Sequence, residues 1–354
     1  MRETPTRHRG RRWWSIGSVA IGVLAFAVVL WRIDYDRFRE AIAGADAGYL
    51  PLVVLAIAAE QVVRAWKWRQ LLYVIRPIGV LRLFGAIMAG YLVSFLIPFG
   101  VSPVVRSWLV ARLEDLKTSA VLATAAVDRL VDGVVFTGFV VVALAFTAFP
   151  DPTGGIRLGL MVAGGGSLVL FAALLFGLAR YKRHAGRSGN WVERLSRRLP
   201  SRFAGPTRTF MLSFAEGIVW PRSRSLGIVG ASVLIKALAT TNYLWAGLAF
   251  GVVLRPEEYV FILVLLGFLI ILNRFARVPG GMILGSVFAL ELFGVAEERA
   301  LAMTLVVIAA SVATVSTIGA FALWKSGVAL ADLRAMGDAR PTPAGALKGS
   351  KKGV

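Results

Sequence analysis

The chain contains no cysteine, which excludes a disulfide framework, a zinc-thiolate site and a cysteine nucleophile. Histidine is almost as scarce. The two present, His8 and His184, lie in strongly basic polar stretches, so most metal and imidazole acid–base chemistry is excluded with them. Acidic residues number 20 against 40 Lys and Arg, a net charge of +20. No Gly-x-x-x-x-Gly-Lys-[Ser/Thr] run occurs, so ATP hydrolysis by this chain is not expected, and neither is any cofactor. What is abundant is apolar: 57% of 354 residues, with a mean hydropathy of +0.71. These residues gather into blocks longer than a water-soluble core uses. Excess positive charge in a soluble protein would suggest nucleic acid. Here the basic residues fall between apolar blocks, which is the pattern of membrane topology, and no nucleic-acid partner is expected.

Apolar blocks run at about 14–31, 48–63, 83–98, 130–149, 156–179, 226–252, 259–273 and 300–324. At 1.5 Å per residue most can cross a hydrocarbon core of about 30 Å. Two further stretches, 101–127 and 278–296, are interrupted by Pro, Gly or charge. The fold expected is an all-α polytopic membrane bundle of about eight transmembrane helices plus one or two broken or re-entrant helical hairpins. Residues 1–12, 64–82, 180–224 and 325–354 together hold 27 of the 40 basic residues. Basic loops stay on the cytoplasmic side, so all four segments and both termini are expected there, in the inner membrane of a cell. Residues 32–46 and the Pro150-Asp151-Pro152 connection fall outside. Parity then requires 99–127 to return to the cytoplasmic side, as a crossing or as part of a re-entrant hairpin over 83–127; the same holds for 259–296.

The domain plan is thus a basic tail over 1–12, a single membrane domain over 13–325 with a basic loop at 180–224, and a disordered basic tail over 326–354. The first apolar block, followed by Trp31-Arg32 rather than a small-residue cleavage site, reads as a retained signal anchor. Within the loop, Trp191, Val192, Leu195 and Leu199 oppose Arg194, Arg197 and Arg198, and Phe210, Phe214 and Ile218 repeat the spacing. Both stretches fit either basic amphipathic helices on an anionic inner leaflet or loop helices packed on the bundle.

Charges inside apolar blocks are costly and therefore informative. The densest group is Asp128-Arg129-Leu130-Val131-Asp132-Gly133. On a helix Asp128 and Asp132 share a face, with Arg129 about 100° away and able to pair with either. The group could form a gate or a contact for a cationic headgroup or a proton. Equally, it could be an ion-pair knot tied to a basic neighbour such as Arg106 or Arg64. Glu60, Gln61 and Arg64 form a second group, in which Arg64 at i+4 can neutralise Glu60. Trp66 and Trp68, alternating with Lys67 and Arg69, read as an interfacial anchoring belt.

The helical pattern breaks at two matching places: Ile97-Pro98-Phe99-Gly100, leading to Arg106, and Arg277-Val278-Pro279-Gly280-Gly281, preceded by Asn273 and Arg274. Broken helices at membrane depth survive where they are buried in protein or line a cavity, and a pair of them points to a transport-type site. Free helix N-termini beside those arginines suit an anionic group such as a lipid phosphate. Surface turns with snorkelling arginines are the plainer alternative. Lys236, Asn242 and Glu291 complete the set of polar residues in apolar surroundings. The Asp128–Gly133 run is similar to the Asp-Gly motif of membrane alcohol phosphotransferases, but two aspartates are too few for a two-metal site. No enzymatic activity and no bound metal are expected.

Taken together, Arg64, Trp68, Leu71-Leu72, Gly90, Pro98, Arg106, Asp128-Arg129-xx-Asp132 and Pro279-Gly280-Gly281 resemble the lysylphosphatidylglycerol synthase transmembrane-domain family, the flippase-like part of the MprF proteins, over about residues 50–325. The chain has Ser94 where the family usually has Asn, Asp128-Arg129 where it has Glu-Arg, and Glu291 displaced from the usual acidic position after Pro-Gly-Gly. The cytoplasmic aminoacyltransferase domain of bifunctional members is not expected, because 30 residues follow Trp324. The resemblance implies a protein that binds and translocates a phospholipid, isoprenoid or glycolipid carrier between leaflets. The expected translocation path is lined by Arg64, Arg106, Asp128, Arg129, Asp132, Lys236 and Glu291, with Pro98, Gly100, Pro279, Gly280 and Gly281 as broken-helix walls. The alternative is an accessory or scaffold subunit of an envelope lipid or glycan pathway. Expected partners are membrane lipids, anionic inner-leaflet lipids through the basic loop, and an envelope-biosynthesis protein.

Overall fold

A computed structural model of the protein describes residues 34–96, 102–151, 153–185, 201–276 and 280–326, and among these no strand occurs. The first apolar block, the stretch at 191–199, Pro98, Gly100, Arg277, Pro279 and the tail beyond 326 lie outside the described residues, as do the side chains of Asn273 and Arg274. In chain order the helices are α1 (Tyr35–Ala43), α2 (Leu50–Leu72), α3 (Val80–Leu96), α4 (Ser102–Glu114), α5 (Thr118–Phe146) and α6 (Gly155–Ala185). They continue with α7 (Ser201–Gly217), α8 (Ser225–Ala249), α9 (Pro256–Ala276), α10 (Gly281–Glu291) and α11 (Glu297–Ser326). Five stretches are long and apolar enough to cross a membrane: Ala47–Leu72, Thr118–Phe146, Gly155–His184, Arg222–Ala249 and Glu297–Ser326. The protein is an all-α, multi-pass membrane protein.

Two apolar stretches form hairpins of a different kind. The helices α3 and α4 pack together, as do α9 and α10; of the residues between them, 97–101 and 277–279 lie outside those described. With 13 and 11 residues, α4 and α10 are too short to cross about 30 Å of hydrocarbon alone. Both pairs lie in the segments where parity called for a further crossing or a hairpin. Each is held close by a glycine. A Cβ at Gly90 of α3 would lie 3.0 Å from the Ser102 carbonyl oxygen and 3.3 Å from the Arg106 Cβ of α4; at Gly285 of α10 it would lie 2.4 Å from Leu269 Cδ1 of α9. Each also leaves by the same turn. After α4, Asp115 takes φ 52° and the Leu116 N–H donates to the Ala111 carbonyl at 2.8 Å. After α10, Gly294 takes φ 77° and the Val295 N–H donates to the Leu290 carbonyl at 3.4 Å. Both are left-handed helix caps, and both stand three residues before the next long helix. At the head of α10, Gly280 is itself left-handed (φ 73°), a conformation a Cβ disfavours and the reason a glycine stands there.

The chain divides into two compact units. One comprises residues 1–60, 133–170 and 232–314; the other comprises 61–132, 171–231 and 315–354. Each of the five long stretches contributes to both. The first unit is packed around Val53, Ile57, Ile262, Leu290 and Met303, with a second cluster at Phe136, Val140 and Phe261. The second unit is packed around Trp68, Leu71, Leu72, Ile87, Leu109, Val121 and Ile228. Within it, Phe214 of α7 lies against Tyr181 at a centroid distance of 6.3 Å and Ile218 is buried in the core. For the stretch 210–218 this is the packing of a loop helix on the bundle.

Two sequence boundaries shift. The block expected at 48–63 continues as helix to Leu72, and the block expected at 130–149 begins at Thr118. In both cases the missing part carries charges that interrupt the apolar pattern. They remain inside the helix because they neutralise one another. Asp128-Arg129-Leu130-Val131-Asp132 thus lies within one continuous helix.

Candidate functional site: a buried charge cluster beside the first hairpin

On α5, Thr124, Asp128 and Asp132 succeed one another at intervals of four and line one face. On α2, Arg64, Lys67 and Trp68 form the matching face at i, i+3 and i+4. The two helices run antiparallel here. Trp68 Nε1 donates to Thr124 Oγ1 at 3.0 Å, Lys67 Nζ meets Asp128 Oδ1 at 2.7 Å and Asp132 Oδ1 at 2.5 Å, and Arg64 meets Asp132 Oδ2 at 3.3 Å. The short helix α4 supplies a third cation, since Arg106 Nη2 approaches Asp128 Oδ2 at 3.2 Å and its guanidinium lies 4.6 Å from the Trp68 ring centroid. Lys67, Arg106 and Asp128 are wholly buried; Arg64 and Asp132 are each 6% exposed.

Three cations therefore face two carboxylates. Removing such charges from water costs several kcal/mol per ion, recovered only when each is paired and hydrogen-bonded. Asp132 meets that condition; Asp128 Oδ1 is ion-paired to Lys67 without a hydrogen bond, and Arg106 is only partly satisfied. Its Nε and Nη1 have no hydrogen-bond partner, nor does the buried hydroxyl of Ser102 one turn earlier on α4. Ser102 Oγ and the Cβ of Arg106 both lie against Gly90, where α3 and α4 approach closely. Unsatisfied buried donors are costly, and donors of this kind are suited to the acceptor oxygens of an anion.

Five of the residues singled out from the sequence, Arg64, Arg106, Asp128, Arg129 and Asp132, fall in this one unit. Arg129 corrects the expected pairing. Its guanidinium turns to the Tyr91 hydroxyl at 3.4 Å rather than to either aspartate, because the helical offset that separates it from Asp128 carries it off the α2-facing side. The partner of both aspartates is Lys67, which the alternation with tryptophan had suggested was an interfacial anchor. Trp68 is buried with it, and Trp66 alone of the three is exposed. The signal was available. Arg64, Lys67, Trp68 and Leu71 recur at i, i+3, i+4 and i+7, the spacing of a buried helix face.

The remaining residues belong to the other unit. Lys236 is half-buried on α8 with Nζ 5.3 Å from the Phe136 ring centroid, Glu291 is the exposed last residue of α10, and Gly280 and Gly281 cap and begin α10. Asn242 is buried, its Oδ1 without a hydrogen-bond partner, and the neighbouring Tyr243 hydroxyl donates to Ser286 Oγ at 2.9 Å. Among the described residues no group of three or more His, Asp or Glu gathers in a way that could hold a metal ion.

The protein is thus a multi-pass helical membrane protein with a buried cluster of three cations and two carboxylates, to which the short helix α4 contributes Arg106. Residues 15–319 match the family model described as the lysylphosphatidylglycerol synthase TM region, and the chain belongs to that family. Comparison with curated proteins and with solved structures returns no match.

Proposed function

We propose that the protein is a non-enzymatic lipid translocator of a cell's inner membrane, binding a lipid with an anionic phosphate and moving it between leaflets. One observation carries this reading: Nε and Nη1 of Arg106 and the hydroxyl of Ser102 are buried without hydrogen-bond partners beside the ion-pair cluster. A phosphate oxygen can accept from Nε, or from Nη1, of Arg106 while Nη2 stays on Asp128. Asp128 and Asp132, bridged by Lys67, can exchange that lysine for a headgroup cation or a proton. No nucleotide site occurs in the sequence, so movement is passive or driven by an ion gradient. Membership of a family described by a lipid synthase's membrane region supports a lipid as ligand. The basic segments at 64–82 and 180–224 both fall in the unit that holds the cluster, which supports placing that unit and both termini on the cytoplasmic side.

The test is headgroup accessibility in proteoliposomes, with fluorescent phospholipids in the inner leaflet and quencher outside. Wild type should expose the protected lipid faster than empty vesicles. Asp128→Asn and Arg106→Ala should abolish the gain. Arg106→Lys, which keeps the charge and removes the orphaned donors, should slow it while folding normally by gel filtration and thermal transition. A wild-type rate equal to that of empty vesicles across several lipid classes would overturn translocation and favour an accessory subunit.

A further inference from the structure

A second feature of the same unit lies outside the buried cluster. The helices α3, α4 and α11 enclose an open groove of about 730 Å³, within the range of small-molecule sites. Its lining is mainly apolar, with Phe84, Gly85, Leu109, Leu113, Ile318 and Phe321 prominent. Small residues open the seam. A Cβ at Gly85 would stand 3.3 Å from the Ala322 Cβ, while further along α3 a Cβ at Gly319 would stand 2.7 Å from the Met88 carbonyl oxygen. This register, 85 against 322 and 88 against 319, makes α3 and α11 antiparallel. It therefore puts Arg82 and Lys325, each one turn further out, at the same end of the groove, and both line it.

That end is positively charged beyond local need. Glu114, the last residue of α4, takes Arg82 at 2.8 Å and Arg76 at 3.7 Å, while Lys325 is exposed and forms no ion pair among the described residues. Trp324 and Leu81 at the rim are 77% and 82% exposed. An apolar trough, a basic end and an exposed tryptophan beside it match, in order, acyl chain, phosphate and interfacial zone.

We propose that this groove binds an anionic glycerophospholipid, one acyl chain along the Gly85–Ala322 seam and the phosphate between Arg82 and Lys325. The site does not require that any lipid cross the membrane. Purified protein in detergent is titrated with phosphatidylglycerol or with phosphatidylcholine of the same chains, and bound lipid is counted by native mass spectrometry. Wild type should retain phosphatidylglycerol preferentially. Arg82→Gln and Lys325→Gln, both at exposed side chains, should each lower that preference by about fivefold. Ile318→Trp, which fills the trough from its half-buried wall, should lower retention of both lipids. Equal retention of the two lipids by wild type, or an unchanged preference in the Arg82→Gln/Lys325→Gln double variant, would overturn the site. Because no transport is measured, lipid preference here with no translocation in vesicles would sink only the function proposed above, and the reverse would sink only this site.

Discussion

Lys67 and Asp128 are both fully buried and 2.7 Å apart, so neither can be changed without altering what the other experiences. Asp128→Asn leaves three cations around one carboxylate, which should cost about 3–5 kcal/mol. Lys67→Met removes the cation that bridges both aspartates and should cost less, because Arg64 and Arg106 still cover them. Together the two changes restore the original charge difference, so the double variant should lose at least about 1 kcal/mol less than the sum of the singles. Thermal unfolding of the four proteins in one detergent measures this. Strict additivity would mean that the two side chains do not interact. Trp68 adds a neutral support to the same group, with its ring face under Arg106 and its N–H on Thr124. It holds the guanidinium in place while leaving two of its nitrogens without protein partners.

At the scale of elements, glycine contacts decide how closely helices approach. The tightest is Gly217 at the end of α7, where a Cβ would fall 2.0 Å from the Ala120 carbonyl oxygen of α5. Backbone cannot yield as a flexible side chain does, so Gly217→Ala should displace α7 and lower the thermal midpoint, whereas Gly205→Ala on the same helix, with open space around it, should leave the midpoint unchanged. Equal effects in the two variants would show that α7 is not packed against α5. Those glycines were visible in the sequence, but nothing in their spacing separated Gly217 from Gly205. The ends of the flanking helices were legible, because Pro98-Phe99-Gly100 and Pro279-Gly280-Gly281 interrupt apolar runs in the sequence. The shared left-handed exit was not, since one hairpin uses Asp115 and the other Gly294.

For the whole molecule, the distribution of Lys and Arg yields an orientation that can be measured directly. The chain has no cysteine, so single cysteines can be placed without a background. Arg222→Cys should react with a membrane-impermeant maleimide only after the cells are opened, and Asp151→Cys should react in intact cells. The opposite pattern would overturn the expected orientation.

The solvent in which this protein folds, its helical class and the approximate ends of the helices beside Pro98 and Pro279 are legible from the residues alone. These follow from block length, from the lack of backbone hydrogen-bonding partners in hydrocarbon and from the conformational limits of proline and glycine, all of which are local properties. The sequence also marked Asp128, Asp132, Arg64 and Arg106 as charges needing partners. Tertiary structure alone decided the pairing. Arg129, one residue from Asp128, turns to Tyr91, while Lys67, 61 residues away, joins both aspartates. The physical reason is that a buried charge takes the partner presented by the facing helix, and which residue faces it depends on helix register and approach, set here by Gly90 and by the antiparallel packing of α2 on α5.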